Sequence, residues 1–144
     1  MPKQQQPLLL DTHVWVWLVL GERPLAPACI ERIEMAASAG RLWVAAISVW
    51  EVGMLEAKNR LRLGVDCLAW TTQALALPGL SLAPLTPEIA IESSRLPGEF
   101  HGDPADRIIT ASARALRAVL VTSDESILKY AEMGFVTAMK AVGE

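Results

Sequence analysis

Pro104-Ala105-Asp106-Arg107-Ile108-Ile109-Thr110-Ala111-Ser112-Ala113-Arg114-Ala115-Leu116 runs through Arg117 into Ala118-Val119-Leu120-Val121, and Thr122-Ser123-Asp124 follows at once. The first segment sets Ala105, Ile108, Ile109, Ala113 and Leu116 at helical spacing on one face. The second is a short apolar run with β-branched residues, which suits a strand. Ser126–Glu132 then returns to a helical pattern, and Gly134 precedes a last strand near Phe135–Ala138. The same alternation extends back to the start. Leu8–Leu10 reads as a strand, followed by a helix from about Val14 to Gly21 and a second helix over Pro27–Ala39. Leu42–Ile47 is the next strand, Ser48–Asn59 the next helix, and Asp66–Leu77 another. Pro78-Gly79 marks a turn before a strand at Leu80–Leu85, and Pro87–Arg95 opens with proline at a helix start. Strands alternating with helices predict a parallel sheet covered on both faces. Right-handed crossovers make the product a doubly wound, three-layer α/β/α sandwich.

A length of 144 residues suits one domain, residues 1–144, with residues 1–7 expected to be loose. Hydrophobic residues make up 52%, which excludes a disordered chain and leaves apolar surface for a partner. The longest apolar run, Val14–Leu20, is too short to span a bilayer, and no small-residue cleavage site follows it. The reading is a cytoplasmic protein without a membrane role. Cys29 and Cys67 form no CxxC pair and are read as free thiols. Net charge is −3, from 13 basic and 16 acidic residues, whereas nucleic-acid binders usually carry a basic footprint. Four acids committed to a metal would leave the bases in slight excess, so charge does not decide the question.

The acids fall at informative places. Asp11 follows the first strand, Glu51 sits early in the helix after the second, and Asp124 follows the strand ending at Val121. Asp103 and Asp106 open the helix that starts at Pro104. In a parallel sheet the strand-to-helix turns share one edge, and ligands bind there. Asp11, Glu51, Asp106 and Asp124 should therefore meet. Carboxylates so crowded repel and take up protons unless a cation intervenes. Magnesium and manganese prefer such oxygen ligands.

Each acid alone has a plainer explanation. Ser48-Val49-Trp50-Glu51 is a capping-box pattern, with Glu51 bonding back to Ser48. Asp103 before Pro104 is a good N-cap, and Asp11 and Asp124 could cap their own helices. Taken singly, capping is the better reading. Taken together at one edge, Asp11, Glu51, Asp106 and Asp124 read as a metal site, while Asp103 stays an N-cap. Thr12, Thr122 and Ser123 lie beside them and are candidates to hold a phosphate oxygen or a water. His13 and His101 are candidate bases by residue type, with local packing or hydrogen bonding the plainer role. Trp15, Trp43, Trp50 and Trp70 fall inside apolar runs and are expected in the core; Trp17 is left open. Lys58, Arg60 and Arg62 could follow a phosphate backbone, but a solvated helix end complementing the dipole is the first expectation.

Four motifs, in order, cover nearly the whole chain: Leu9-Leu10-Asp11-Thr12-His13, Ser48-Val49-Trp50-Glu51, His101-Gly102-Asp103-Pro104-Ala105-Asp106-Arg107 and Val121-Thr122-Ser123-Asp124. The set resembles the PIN-domain family, and within it the VapC-type toxins of bacterial toxin–antitoxin pairs. The resemblance implies a PIN-like sandwich and magnesium- or manganese-dependent cleavage of RNA. By position it assigns Asp11, Glu51, Asp106 and Asp124 to the metal-binding and catalytic acids, with Asp103 in support. It also implies a small antitoxin that blocks the site, and a homodimer. A housekeeping RNA-processing nuclease is the alternative within the family. A phosphoacceptor domain would need an acid after the third strand, where Leu82-Ala83-Pro84-Leu85-Thr86 has none. A binding module that has kept the fold and lost activity is disfavoured by the complete acid set.

Overall fold

A computed structural model describes residues 5–21 and 24–142. In chain order the elements are β1 (Leu8–Leu10), α1 (Thr12–Leu20), α2 (Pro27–Ser38), β2 (Leu42–Ala45), α3 (Ala46–Ala57) and α4 (Cys67–Leu75). They continue with β3 (Leu80–Ala83), α5 (Pro87–Glu92), α6 (Pro104–Leu116), β4 (Val119–Thr122), α7 (Glu125–Glu132) and β5 (Thr137–Lys140). The part of the N-terminal segment expected to be loose that covers residues 1–4 lies outside the described residues. Pro7 offers its carbonyl to the Val119 N–H at 2.8 Å.

The strands form one sheet in the order β3-β2-β1-β4-β5, and every neighbouring pair is parallel. Side chains alternate faces along a strand. Leu8 and Leu10 of β1 join Val119 and Val121 of β4 in one core, with Val14, Trp15, Ile33 and Trp70 from the helices above. Leu9 and Leu120 face the opposite core, with Ile89, Ile109, Ile127 and Tyr130 from the helices below. Two apolar layers on one sheet make the α/β/α sandwich expected from the alternation. At the turn into β3, Gly79 has φ +81°, and a Cβ there would meet the Ala37 carbonyl oxygen at 1.8 Å. Only glycine fits that crossing of α2.

Two expectations are corrected. β2 ends at Ala45 and α3 begins at Ala46, so Ser48 is the third residue of the helix and not its cap. Trp50, expected in the core, is 57% exposed on α3, and Trp43 is half-buried. Trp15 and Trp70 are core residues, packed ring to ring at 5.3 Å. Cys29 and Cys67 are free thiols. Among the described residues, no helix is long and apolar enough to cross a membrane.

Candidate active site

The chain winds outward from β1 in two directions, through β2 and β3 on one side and through β4 and β5 on the other. Such a reversal opens a crevice at the carboxyl ends of the two strands where it occurs. Asp11 follows β1 and Asp124 follows β4, so one carboxylate stands on each side of that crevice. Glu51 reaches it from α3, and Asp103 and Asp106 from the start of α6. All five acids line one cleft of about 430 Å³.

Each acid is held by its own element. Asp11 is 2% exposed and caps α1, accepting from the Thr12 N–H at 2.8 Å. Its other oxygen accepts from the Thr122 hydroxyl at 2.6 Å, and that hydroxyl accepts from the Asp124 N–H at 3.0 Å. Thr122 thus ties the two strand ends together. Asp124 caps α7 through the Ile127 N–H at 3.1 Å, and Asp103 caps α6 through the Asp106 N–H at 2.8 Å. For Asp11, Asp103 and Asp124, capping and a place in the cleft hold at once, because helix N-termini form its rim.

Glu51 departs from the sequence reading. With α3 starting at Ala46, Glu51 lies in the second helical turn and Ser48 is fully buried inside the first. No capping box forms. The Thr12 hydroxyl lies 2.7 Å from Ser48 Oγ and donates to Glu51 at 2.5 Å, orienting the carboxylate toward the cleft. Ser48 was not expected to support the site; its role follows from where the strand ends.

Burial and mutual repulsion show in the ionisation of the cluster. Asp106 is pushed up to about 7, first by burial and then by the charges of Asp103, Asp124, Asp11 and Glu51. Glu51 is raised by burial, against the Thr12 hydrogen bond, with Asp11 and Asp103 adding to the rise. Asp11 is raised by burial, against the pull of His13 and of its hydrogen bonds from Thr122 and Thr12. Asp11, Glu51 and Asp106 therefore each respond to the charge of neighbouring acids. No three described His, Cys, Asp or Glu side chains already stand at closing distance round a metal ion. The carboxylates of Asp11, Glu51, Asp103 and Asp124 are turned instead to the donors named above. An oxygen-only donor set that crowds negative charge onto a half-buried acid suits a hard divalent cation.

The remaining candidates separate. His13 accepts from the Ser123 N–H at 3.0 Å, stands 3.6 Å from Asp11 and meets the Trp17 ring edge-on. It is satisfied locally, as expected. His101 is exposed, 3.7 Å from Glu99. The Ser123 hydroxyl is buried without a hydrogen-bond partner among the described residues. Two further residues had no role in the sequence reading. Arg107 clamps the loop before α6, donating to the Ser93 and Phe100 carbonyls at 2.8 Å each. Gly102 admits the close approach of that loop, since a Cβ there would meet the Phe100 ring at 2.5 Å and Asp106 Cβ at 2.9 Å.

A PIN-domain model matches residues 8–133, and the chain belongs to that family. It is 36% identical over 120 residues to Ribonuclease VapC22 of Mycobacterium tuberculosis (strain ATCC 25618 / H37Rv), covering 83% of this chain and 88% of that protein. Its fold resembles that of VapBC2 from Rickettsia felis bound to a fragment of promoter DNA, with TM-score 0.67, 16% identity and 93% and 98% of the two chains covered. FitAcB from Neisseria gonorrhoeae gives TM-score 0.61 at 20% identity, covering 92% and 96%.

Proposed function

We propose that this chain is a divalent-metal-dependent endoribonuclease of the VapC type, acting in the cytoplasm as the toxin of a toxin–antitoxin pair. The observation that carries the reading is one cleft at the sheet's switch point lined by Asp11, Glu51, Asp103, Asp106 and Asp124. The ribonuclease name of the relative at 36% identity supports the reaction class. The antitoxin partner is supported by structural neighbours solved as VapBC complexes. The whole of residues 1–144 is taken as one catalytic domain.

Asp11, Asp106 and Asp124 would hold magnesium or manganese, with Glu51 completing the set. Bound there, the cation supplies charge neutralisation at a phosphodiester and a lowered pKa for water. Thr12 and Ser48 keep Glu51 aimed inward, and Thr122 keeps Asp11 and Asp124 in register. The Ser123 hydroxyl is left to bond a phosphate oxygen or a water.

The test is cleavage of single-stranded RNA with added manganese, with and without chelator. Cleavage lost in chelator, and lost in Asp11→Asn at saturating manganese, is the expected result. Full activity of Asp11→Asn, or turnover that ignores chelator, would overturn the assignment.

A further inference from the structure

The cleft is not acidic throughout. Besides the carboxylates it is lined by Val16, Trp17, Leu55 and Leu61, and by Arg60. We infer that Arg60 is a substrate-positioning residue that binds a backbone phosphate of single-stranded RNA next to the one being cut. This rests on the nuclease reading above.

Three observations carry it. First, Arg60 is held where it is by backbone geometry. After α3 the chain turns at Asn59, whose φ is +56°. The Arg60 N–H bonds the Leu55 carbonyl at 2.8 Å and the Asn59 N–H bonds the Glu56 carbonyl at 3.0 Å. These are the paired bonds of a Schellman helix end, which reverses the chain in a defined way. The reversal brings Arg60 and Leu61 back over Leu55, into the cleft wall. Second, selection among neighbours is sharp. Lys58, Arg60 and Arg62 are all exposed, yet of the three only Arg60 lines the cleft. The sequence reading treated the three alike, as a solvated helix end; the fold sets Arg60 apart by its place in the cleft lining. Third, Arg60 makes no ion pair among the described residues, although five carboxylates share its cleft. A guanidinium presents a planar fork of donors that matches a phosphate. An anionic polymer that enters an acidic cleft needs such a cation there. The apolar residues of the same cleft offer a surface to the adjoining sugar and base.

A phosphate away from the reacting bond is bound equally in the ground and transition states. Its loss raises KM and leaves kcat in place. The experiment compares wild type, Arg60→Gln, Arg60→Lys and Arg62→Gln with one single-stranded oligoribonucleotide. Cleavage kinetics are read with manganese. Binding is read by fluorescence anisotropy against salt, with Asp106→Asn as the common background. Arg60→Gln is expected to raise both KM and Kd about tenfold, the loss of one charge-assisted contact. It should reduce the salt slope by about 0.7, the release from one single-strand phosphate. Arg60→Lys should keep the slope and recover part of the affinity, and Arg62→Gln should change less than Arg60→Gln. Equal effects at positions 60 and 62 would overturn the proposal in favour of diffuse attraction. So would unchanged RNA binding in Arg60→Gln, including the case where only affinity for a protein partner falls. A wild type that neither binds nor cuts RNA removes the nuclease reading and this proposal with it. Wild-type binding that Arg60→Gln leaves intact removes this proposal alone.

Discussion

Asp106 is the carboxylate whose ionisation the other four oppose, and its behaviour is measurable without any substrate. Its pKa rises from an ordinary 3.8 to about 7 in the folded protein. The folded form then binds this proton more tightly than the unfolded chain does. The resulting stability is fully present below about pH 4 and is lost as pH rises through about 7. In chelator, the melting temperature should therefore fall across that window. Asp106→Asn should flatten the fall and melt no lower than wild type at neutral pH, while abolishing RNA cleavage. Adding manganese at neutral pH should raise the melting temperature of wild type and not of the variant. A flat pH profile in wild type would show that the acids do not crowd as described. Glu51→Gln tests the neighbouring carboxylate. Because α3 has no capping box at Ser48, a capping loss cannot enter. We expect a large fall in cleavage rate with the melting temperature nearly unchanged; an unaffected rate would remove Glu51 from the site.

The ends of helices set where these residues stand. Asp103 is the N-cap of α6. Asparagine caps about as well, so Asp103→Asn should change stability little, whereas Asp103→Ala should cost about 1 kcal/mol in denaturant titration. A folded but inactive Asp103→Asn protein would place this carboxylate among the metal ligands. The far end of α3 is the counterpart. Asn59 occupies the left-handed region, which glycine enters freely and alanine does not. Asn59→Ala should lose about 1 kcal/mol, and Asn59→Gly should hold stability. The reverse order would mean that the Asn59 side chain, and not its backbone conformation, makes the turn.

At the scale of the whole molecule, the apolar excess of the composition surfaces in unexpected places. A helix as apolar as the run Val14–Leu20 could leave one face for a partner. In the fold, Val14, Trp15 and Val16 are buried, and Trp17 to Leu20 pack against the same core. The strongly exposed apolar side chains lie elsewhere, among them Trp50 on α3 (57% exposed) and Leu68 on α4 (74%). Trp50→Glu should fold normally and weaken self-association or antitoxin binding, read by light scattering and by pull-down with the antitoxin. Trp17→Glu should instead lower the melting temperature. Unchanged assembly in Trp50→Glu would exclude that side chain from the interface.

The alternation of apolar strands with amphipathic helices was enough to determine a parallel α/β/α sandwich. The reason is that period-2 and period-3.6 patterns are local, and a short parallel strand can bury both its faces in only a few ways. The acids were legible for a related reason. Asp11, Asp103, Asp106 and Asp124 follow strands or open helices, and the topology of a parallel sheet sends those junctions to one edge. The caps at Asp11, Asp103 and Asp124 were readable on the same local grounds. Other features depended on residues far apart in sequence. The start of α3 is one: Ser48 and Glu51 read locally as a capping box, yet Ser48 is buried against Thr12, which lies thirty-six positions earlier. Trp50 is another, since an apolar run does not say which of its members faces away. Arg60 is a third. A basic cluster beyond a helix looks like a solvated end until the backbone at Asn59 turns one of its members into the cleft. For Ser48 and Trp50 the deciding term was the packing of distant elements, and for Arg60 it was a local helix end set beside a cleft built from distant elements; no periodicity along the chain encodes either.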